Sequence, residues 1–356
     1  MANGVNNRPP DAFWRIVRLA MGPNWRRVRV VVGVLLAGVV LYFVGRVLAV
    51  RLQQISWAQV HVRPLPALLG LACFCLHRIL HGATLGALLR SFGSAIGYFD
   101  SIVIARTASL GRYIPGKLFS AGSALLLLAR FGVRLPAGMA SVFFSSSLTI
   151  LVGFIISAPL MLMPAVQRVL PSPGLWCLVL ILLGVVTLHP RVFLMICNRL
   201  LKRLGRQPIT AKPATKPFVL ATLLILLRCA LLGFGVWLSV AALIPIGADL
   251  YPLMTCTAVL ASVVGFLAFF APSGIGVREG VYILILGPTL GANEAALAAV
   301  FLRLIDVVTD IVTGVTAILL LGFRLEGIAA VRPSETQSNE LAVGAVGNGV
   351  SRTTKT

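Results

Sequence analysis

Two short segments rich in glycine, proline and charge interrupt long apolar runs, and they constrain the fold of this chain most strongly. The first is residues 110–117, LGRYIPGK, and the second is residues 272–280, PSGIGVREG. In lipid, irregular backbone is tolerated only where protein or a water-filled cavity covers it. Two such breaks in the two halves of a membrane protein predict a binding site built from discontinuous helices. A carrier for an anionic or amphiphilic substrate would have this layout.

The composition is that of a membrane protein. Of the 356 residues, 58% are hydrophobic and only 12% are charged, which is rare in soluble domains. The formal net charge is +21, and the basic residues cluster beside the ends of the apolar runs. The positive-inside rule and attraction to anionic lipid headgroups would produce this distribution. Basic patches interleaved with aromatic residues are absent from the sequence, so no nucleic-acid partner is expected.

Seven apolar runs are long enough to cross a bilayer, which needs about 20 residues. They are residues 30–50, 65–89, 136–164, 174–189, 217–244, 251–271 and 294–323, and the fourth is the shortest. Three more runs, 100–111, 118–130 and 280–290, are too short or too broken, and they are interpreted as re-entrant or half-membrane helices. Alternatively, some of these pair into one more crossing. The predicted fold is an all-α polytopic membrane protein with about 7–8 transmembrane helices and two re-entrant or broken-helix segments.

Charge and composition divide the chain into three parts. Residues 1–29 form a basic N-terminal arm, residues 30–323 the transmembrane domain, and residues 324–356 a polar tail that is predicted to be disordered. Basic residues of the arm and of the stretch 90–134, including Arg106 and Arg112, fall on one side if the short segments return to their own side. The N-terminus is therefore predicted to be cytoplasmic. The side of the tail is left open.

The two halves of the chain share a pattern but no evident sequence identity. Each has a long span, then a broken segment with a cation, then a short apolar helix. An inverted repeat would produce this pattern.

The second broken segment has the features of a phosphate site. Gly274 and Gly276 permit sharp turns, and a short helix is predicted to begin near Val277. The first turn of that helix presents free backbone N–H groups and the positive end of the helix dipole, which favour an anion. Arg278 would add a bidentate donor, and Glu279 would either orient Arg278 or meet a cationic headgroup. The alternative is a structural break with an internal Arg278–Glu279 pair.

The first broken segment also carries cations at membrane depth. Pro115 and Gly116 break the chain, Arg112 and Lys117 flank the break, and Tyr113 adds an aromatic ring with a polar tip. Such cations can meet a lipid phosphate. The alternative is that they reach the inner surface of the membrane by snorkelling.

The last span carries a stripe of polar residues. Arg303, Asp306, Asp310 and Thr313 fall on one narrow face of the helix. Ionisable groups inside a span usually face the protein interior. Arg303 can pair with Asp306, and Asp310 is predicted to reach Arg228 of the fifth span. The stripe is either a structural ion network or a substrate-binding or proton-coupling device.

Other chemistry is not indicated. His77 and His81 lie one turn apart around Arg78, but a third ligand is missing nearby, so a metal is not expected and these residues are interpreted as lining a cavity. Nucleotide loops, hydrolase elbows and paired catalytic carboxylates are absent from the sequence. We therefore expect neither an enzyme nor a cofactor.

The two broken segments carry a family resemblance. GRYIPGK at 111–117 resembles the first signature of the lysylphosphatidylglycerol synthase transmembrane-region family, also called flippase-like proteins. PSGIGVREG at 272–280 resembles the second signature, with Ser273 where the family often has glycine. The resemblance covers residues 30–323, and the two motifs in this order are more specific than either alone.

The resemblance implies a polytopic protein of the bacterial inner membrane that moves or handles lipids. Some members are fused to a soluble aminoacyl transferase or a glycosyltransferase, and this sequence carries neither. It therefore implies lipid translocation, with a phospholipid, a hopanoid or a lipid-linked sugar as substrate and membrane lipids as partners. The alternative is a membrane-embedded subunit of a lipid-modifying transferase that acts with a separate biosynthetic enzyme. The oligomeric state is left open.

Overall fold

A computed structural model of the chain describes residues 62–113, 118–169, 214–268 and 271–331, with isolated residues between 172 and 203. The described part is built from helices and contains no strand, which confirms the predicted all-α class. The α-helices are α1 (Pro64–Ser91), α2 (Tyr98–Ser109), α3 (Leu118–Arg130), α4 (Leu135–Ser157), α5 (Pro164–Val169), α6 (Thr215–Ala241), α7 (Tyr251–Leu267), α8 (Val277–Leu290) and α9 (Ala292–Val331). Short 3₁₀ turns cover Leu110–Tyr113, Ala158–Leu162, Ala248–Leu250 and Pro272–Gly274.

Five of the predicted spans are confirmed as helices long and apolar enough to cross a membrane. They are Pro64–Ser91, Leu135–Leu162, Thr215–Ala241, Ala248–Leu267 and Ala292–Gly322. Proline in the first turn of α1, α4 and α7 helps to fix where these helices begin, because its φ angle suits the first helical position. The chain is thus a multi-pass membrane protein. The predicted spans 30–50 and 174–189 fall outside, or almost wholly outside, the described residues, so the total of 7–8 stays a prediction.

The three short apolar runs form separate short helices, as predicted. They are α2, α3 and α8, of 12, 13 and 14 residues. None is long enough to span about 30 Å of hydrocarbon at 1.5 Å per residue. Their re-entrant character and the inverted repeat stay predictions.

The last helix is longer than the sequence pattern indicated. Helix α9 continues to Val331, so it passes the boundary predicted at residue 324. The segment from Phe323 to Val331 contains good helix formers, and Pro333 disfavours helix only at the residue before it. The predicted basic arm 1–29 and the rest of the predicted tail lie outside the described residues.

Small residues allow the helices to approach closely. A methyl group added at Gly82 of α1 would lie 2.5 Å from the Cα atom of Ile102 in α2, so the two backbones are nearly in contact there. Glycine and other small residues favour such close crossings between membrane helices. Elsewhere, the rings of Phe92, Phe144 and Phe218 join the end of α1 to α4 and α6, with centroids 5.5 and 5.9 Å apart.

Large apolar side chains cover the outside of the bundle. Leu68 of α1, Leu223 of α6 and Leu319 of α9 are all more than half exposed. A soluble protein rarely exposes such a continuous apolar surface, whereas lipid solvates it. The polar residues described below therefore lie inside a bundle with an apolar exterior.

The close crossing of α1 and α2 gives a testable prediction. We expect Gly82→Ala to lower the stability of the detergent-purified protein by about 1–3 kcal/mol, because the added methyl group meets backbone. The matched control is Gly122→Ala in α3, where an added methyl group meets no atom within 4 Å. Thermal unfolding measures both variants. An equal melting temperature for Gly82→Ala and the wild type would contradict the packing described for this crossing.

Candidate functional site

Two carboxylates of α9 form the centre of a buried ion cluster. Asp306 and Asp310 are one helical turn apart and are buried, as is Thr309 between them. Thr309 Oγ1 donates to the carbonyl of Ile305 at 2.7 Å, so it is satisfied within the helix. The predicted polar stripe on the last span faces the interior of the bundle. Asp306 and Asp310 are buried, and Arg303 and Thr313 are partly buried.

Asp310 binds arginines from three parts of the chain. Its Oδ1 lies 3.2 Å from Arg78 Nε of α1 and 3.1 Å from Arg106 Nη2 of α2. Its Oδ2 pairs with Arg112, from the first broken segment. Arg106 Nη2 also donates to Thr313 Oγ1 at 2.9 Å, one turn further along α9. Asp310 therefore joins α1, α2 and the first break to the last helix.

Asp306 brings the two broken segments together. It pairs with Arg78, with Arg112 at 3.6 Å and with Arg278 Nη1 at 3.2 Å. Arg112 belongs to the first break and Arg278 to the second. The 3₁₀ turns Leu110–Tyr113 and Pro272–Gly274 also contact each other directly. The two motifs singled out in the sequence thus meet at one carboxylate.

Glycines shape the second break as predicted. Gly274 and Gly276 have φ angles of 70° and 85°, in the left-handed region that favours glycine. Ser273 has a φ of 52°, which a residue with a Cβ atom adopts at some cost. A methyl group at Gly274 would lie 2.9 Å from Gly265 Cα, and one at Gly265 would lie 2.7 Å from Arg278 Cγ. Small residues therefore leave room for Arg278 to lie across α7.

Glu279 binds the backbone of Gly276 and the side chain of Arg303, and it does not pair with Arg278. Its Oε2 accepts from the N–H of Gly276 at 2.6 Å, which caps the first turn of α8. Its Oε1 lies 3.7 Å from Arg303 Nε, and Arg303 Nη1 donates to the carbonyl of Ser273 at 3.4 Å. The predicted internal Arg278–Glu279 pair is therefore replaced by an Arg303–Glu279 pair. The predicted Arg303–Asp306 pair is present at 4.0 Å.

The cluster has more positive than negative groups. The ion pairs of the described residues join five arginines to three carboxylates, an excess of two positive charges. The arginines are Arg78, Arg106, Arg112, Arg278 and Arg303, and the carboxylates are Glu279, Asp306 and Asp310. Of the other predicted site residues, Lys117 lies outside the described residues, and of Tyr113 only the backbone is described.

One predicted contact is wrong. Arg228 does not join Asp310 in the ion pairs above; its Nη2 donates to Thr149 Oγ1 of α4 at 2.6 Å. Helical periodicity places Arg228 on the buried face of α6. At this residue that face meets His77 of α1 and Thr149 of α4, and Asp310 is already surrounded by other arginines. Spacing within one helix could not decide which neighbour that face meets.

Sequence reasoning missed Arg78 and Arg106 as members of the cluster. Arg78 was placed among cavity-lining residues, and Arg106 was counted with the cytoplasmic charges. Both are buried in ion pairs, as is part of Arg112, so they cannot act as surface charges. Each stands alone in an apolar run, and a lone arginine there signals a buried partner. Among the described residues of this stretch, the exposed basic ones are Arg90, Arg130 and Arg134.

Comparison with known proteins places the chain in a family. The sequence model described as "Lysylphosphatidylglycerol synthase TM region" matches residues 30–314, which include both broken segments and the two aspartates. The chain belongs to this family. A comparison with curated proteins finds no match. The family suggests a role connected with membrane lipids.

The ion cluster predicts a strong effect of neutralising Asp310. We expect Asp310→Asn to destabilise the protein by about 3–5 kcal/mol. Buried Arg78 and Arg106 and partly buried Arg112 would lose a shared counter-charge. Asp249→Asn, at an exposed position, is the matched control and should have little effect. The double variant Arg106→Gln/Asp310→Asn should recover part of the loss, since it removes one of the unpaired charges. Chemical denaturation in detergent measures all three, and an unfolding midpoint of Asp310→Asn equal to that of wild type would contradict the cluster.

Proposed function

We propose that the protein is a lipid transporter or flippase-like carrier, without enzymatic activity of its own. It moves an anionic or amphiphilic lipid across or within the bacterial inner membrane. One observation carries this proposal. Among the described residues, an ion cluster with two more arginines than carboxylates lies where the two broken segments meet.

The surplus charge supports an anionic ligand. Ionisable groups within the bilayer are expensive, so a purely structural network would be expected to balance its charges. A phosphate with two negative charges would neutralise the surplus positive charge of this cluster. The cluster therefore favours a lipid with a phosphate, such as a phospholipid or a lipid-linked sugar, over an uncharged hopanoid.

The exposure of the arginines indicates which of them would meet the ligand. The exposed fraction of the side chain is 3% for Arg106 and 9% for Arg78, but 19% for Arg112 and 20% for Arg278. Arg278 Nε also lacks a hydrogen-bond partner among the described residues. In the proposal, Arg78 and Arg106 fix the carboxylates of α9, and Arg112 and Arg278 hold the headgroup.

Asp306 would act as an internal competitor of the headgroup. It pairs with both Arg112 and Arg278, the two arginines proposed to bind phosphate. An arriving phosphate would displace this carboxylate, and the carboxylate would displace the phosphate on release. A carrier needs such reversible binding, because a site that holds its ligand too tightly cannot release it. Protonation of the displaced Asp306 would provide a route for coupling to protons.

We also propose a location and an orientation. The family resemblance supports the bacterial inner membrane. Three exposed arginines lie at one end of these helices: Arg90 in the last turn of α1, Arg130 at the end of α3, and Arg134 directly before α4. Positive charge in such positions favours the cytoplasmic side of the membrane. A cytoplasmic N-terminus agrees with this placement.

A second candidate function rests on the description of the family. That description names the membrane region of a synthase, so the chain could serve as the membrane-embedded subunit of a lipid-modifying transferase. This candidate predicts a stable complex with a separate soluble catalytic chain and no lipid movement by the protein alone.

Lipid movement in vesicles tests the proposal. The purified protein would be reconstituted with a fluorescent phospholipid, and exchange between leaflets would be measured. We expect Arg278→Gln to slow exchange about tenfold or more, because a charge-assisted hydrogen bond to the headgroup is lost. Arg278→Lys should be intermediate, since it keeps the charge but not the planar donor pair. Arg134→Gln, at an exposed position, should match wild type.

Asp306→Asn completes the set and should also change the exchange rate. Wild-type rates in both Arg278→Gln and Asp306→Asn would overturn the site assignment. An inactive wild type that co-purifies with a soluble catalytic chain would instead favour the subunit function.

A further inference from the structure

A second polar cluster lies beside the ion cluster, where α1, α4 and α6 meet. Its centre is Arg228, which is only 4% exposed. Arg228 Nη2 donates to Thr149 Oγ1 at 2.6 Å, but Nε and Nη1 have no hydrogen-bond partner among the described residues. The three carboxylates buried in the bundle are paired with other arginines. A buried guanidinium with two unpartnered nitrogens is costly unless a further group accepts from them.

The hydroxyl groups of α4 do not complete the hydrogen bonding of Arg228. Thr149 Oγ1 donates its own hydrogen to the carbonyl of Ser145 at 2.6 Å. Ser145 lies one turn earlier on the same face of α4, is 5% exposed, and its hydroxyl has no partner in the described part of the chain. Two separate side chains on two helices thus have unsatisfied donors at the same packing site.

The backbone holds Arg228 firmly in this place. His77 Nδ1 of α1 lies 2.8 Å from the carbonyl oxygen of Arg228. A carbonyl oxygen can only accept, so Nδ1 carries the proton of this bond. The contact joins α1 and α6 at the residue that carries the guanidinium. Arg228 is therefore held in a preorganised site, unlike a flexible side chain at the surface.

The outer faces of the same helices meet lipid at this level. Leu76 and Ile79 flank His77 on α1 and are 44% and 40% exposed, and Leu227 precedes Arg228 on α6 and is 51% exposed. The unsatisfied donors are therefore only one helix thickness from the lipid-facing surface.

We propose that Arg228 and Ser145, with Thr149 orienting the guanidinium, form a second anion-binding site, which accepts an oxyanion of the phosphate or carboxylate type. The anion belongs either to a lipid headgroup or to a free anion in solution. The site is separate from Arg112 and Arg278, and it stands whether or not the protein transports lipid. It replaces the contact with Asp310 that the sequence predicted for Arg228.

Titration calorimetry on the full-length protein in a neutral detergent tests the proposal. The two probes are inorganic phosphate and dioctanoyl phosphatidic acid, each at constant ionic strength. We expect Arg228→Gln to weaken binding of at least one probe about tenfold or more, because charge-assisted hydrogen bonds are lost. Arg130→Gln, which removes an exposed positive charge, should bind as wild type does. Loss of phosphate binding indicates a free anion, and loss of phosphatidic acid binding alone indicates a headgroup.

Arg278→Gln separates this site from the headgroup site. It should keep the binding that depends on Arg228 and lose any binding that depends on the ion cluster. If only Arg228→Gln changes binding, the second site stands and the proposed headgroup site falls. If neither probe binds wild type, or if Arg228→Gln binds both as tightly as wild type, the proposal is overturned.

Arg228→Lys keeps the proposal testable if Arg228→Gln does not fold. Lysine keeps the buried charge but loses the planar set of donors. We expect weaker binding of the same probe, with a melting temperature closer to wild type than that of Arg228→Gln. Unchanged affinity in a folded Arg228→Lys protein would contradict the site.

Discussion

Pairing between the two aspartates of α9 and arginines from four other segments determines how this bundle is assembled. Asp306 and Asp310 bind Arg78 of α1, Arg106 of α2, Arg112 of the first break and Arg278 of the second. Without these carboxylates, four guanidinium groups would face one another in a medium that solvates charge poorly. The position of each broken segment therefore depends on a helix that does not adjoin it in sequence.

The irregular backbone at the second break follows from the need to pair Arg278 with Asp306. Arg278 must lie across α7 to reach Asp306, and only a small residue at position 265 leaves space for its side chain. The turn before it needs left-handed backbone at residues 273, 274 and 276, and glycine occupies two of these positions. Glu279 then caps the new helix through Gly276. Charge, turn and cap thus form one unit, which explains why glycine and charge occur together in the motif.

The sequence predicted those features of the fold that depend on a single helix or a single turn. Five spans, three short helices, the turns at Gly274 and Gly276 and the buried stripe of α9 were predicted from apolar length, glycine chemistry and helical periodicity. Contacts between helices were not predictable in the same way. Periodicity identifies the buried face of α6 but not its neighbour, so Arg228 was assigned to Asp310 although it meets Thr149. Arg106 was counted as a surface charge because its position in a short helix gave no sign of the partner on α9.

The central claim is that Arg112 and Arg278 bind an anionic lipid headgroup where the two breaks meet. The most direct test is an experimental structure of the protein in a nanodisc that contains phosphatidylglycerol. The account predicts phosphate density within hydrogen-bond distance of Arg278, with Asp306 moved away from that guanidinium. A cluster that keeps its Arg278–Asp306 pair, with no lipid density beside Arg112 or Arg278 at saturating lipid, would contradict it.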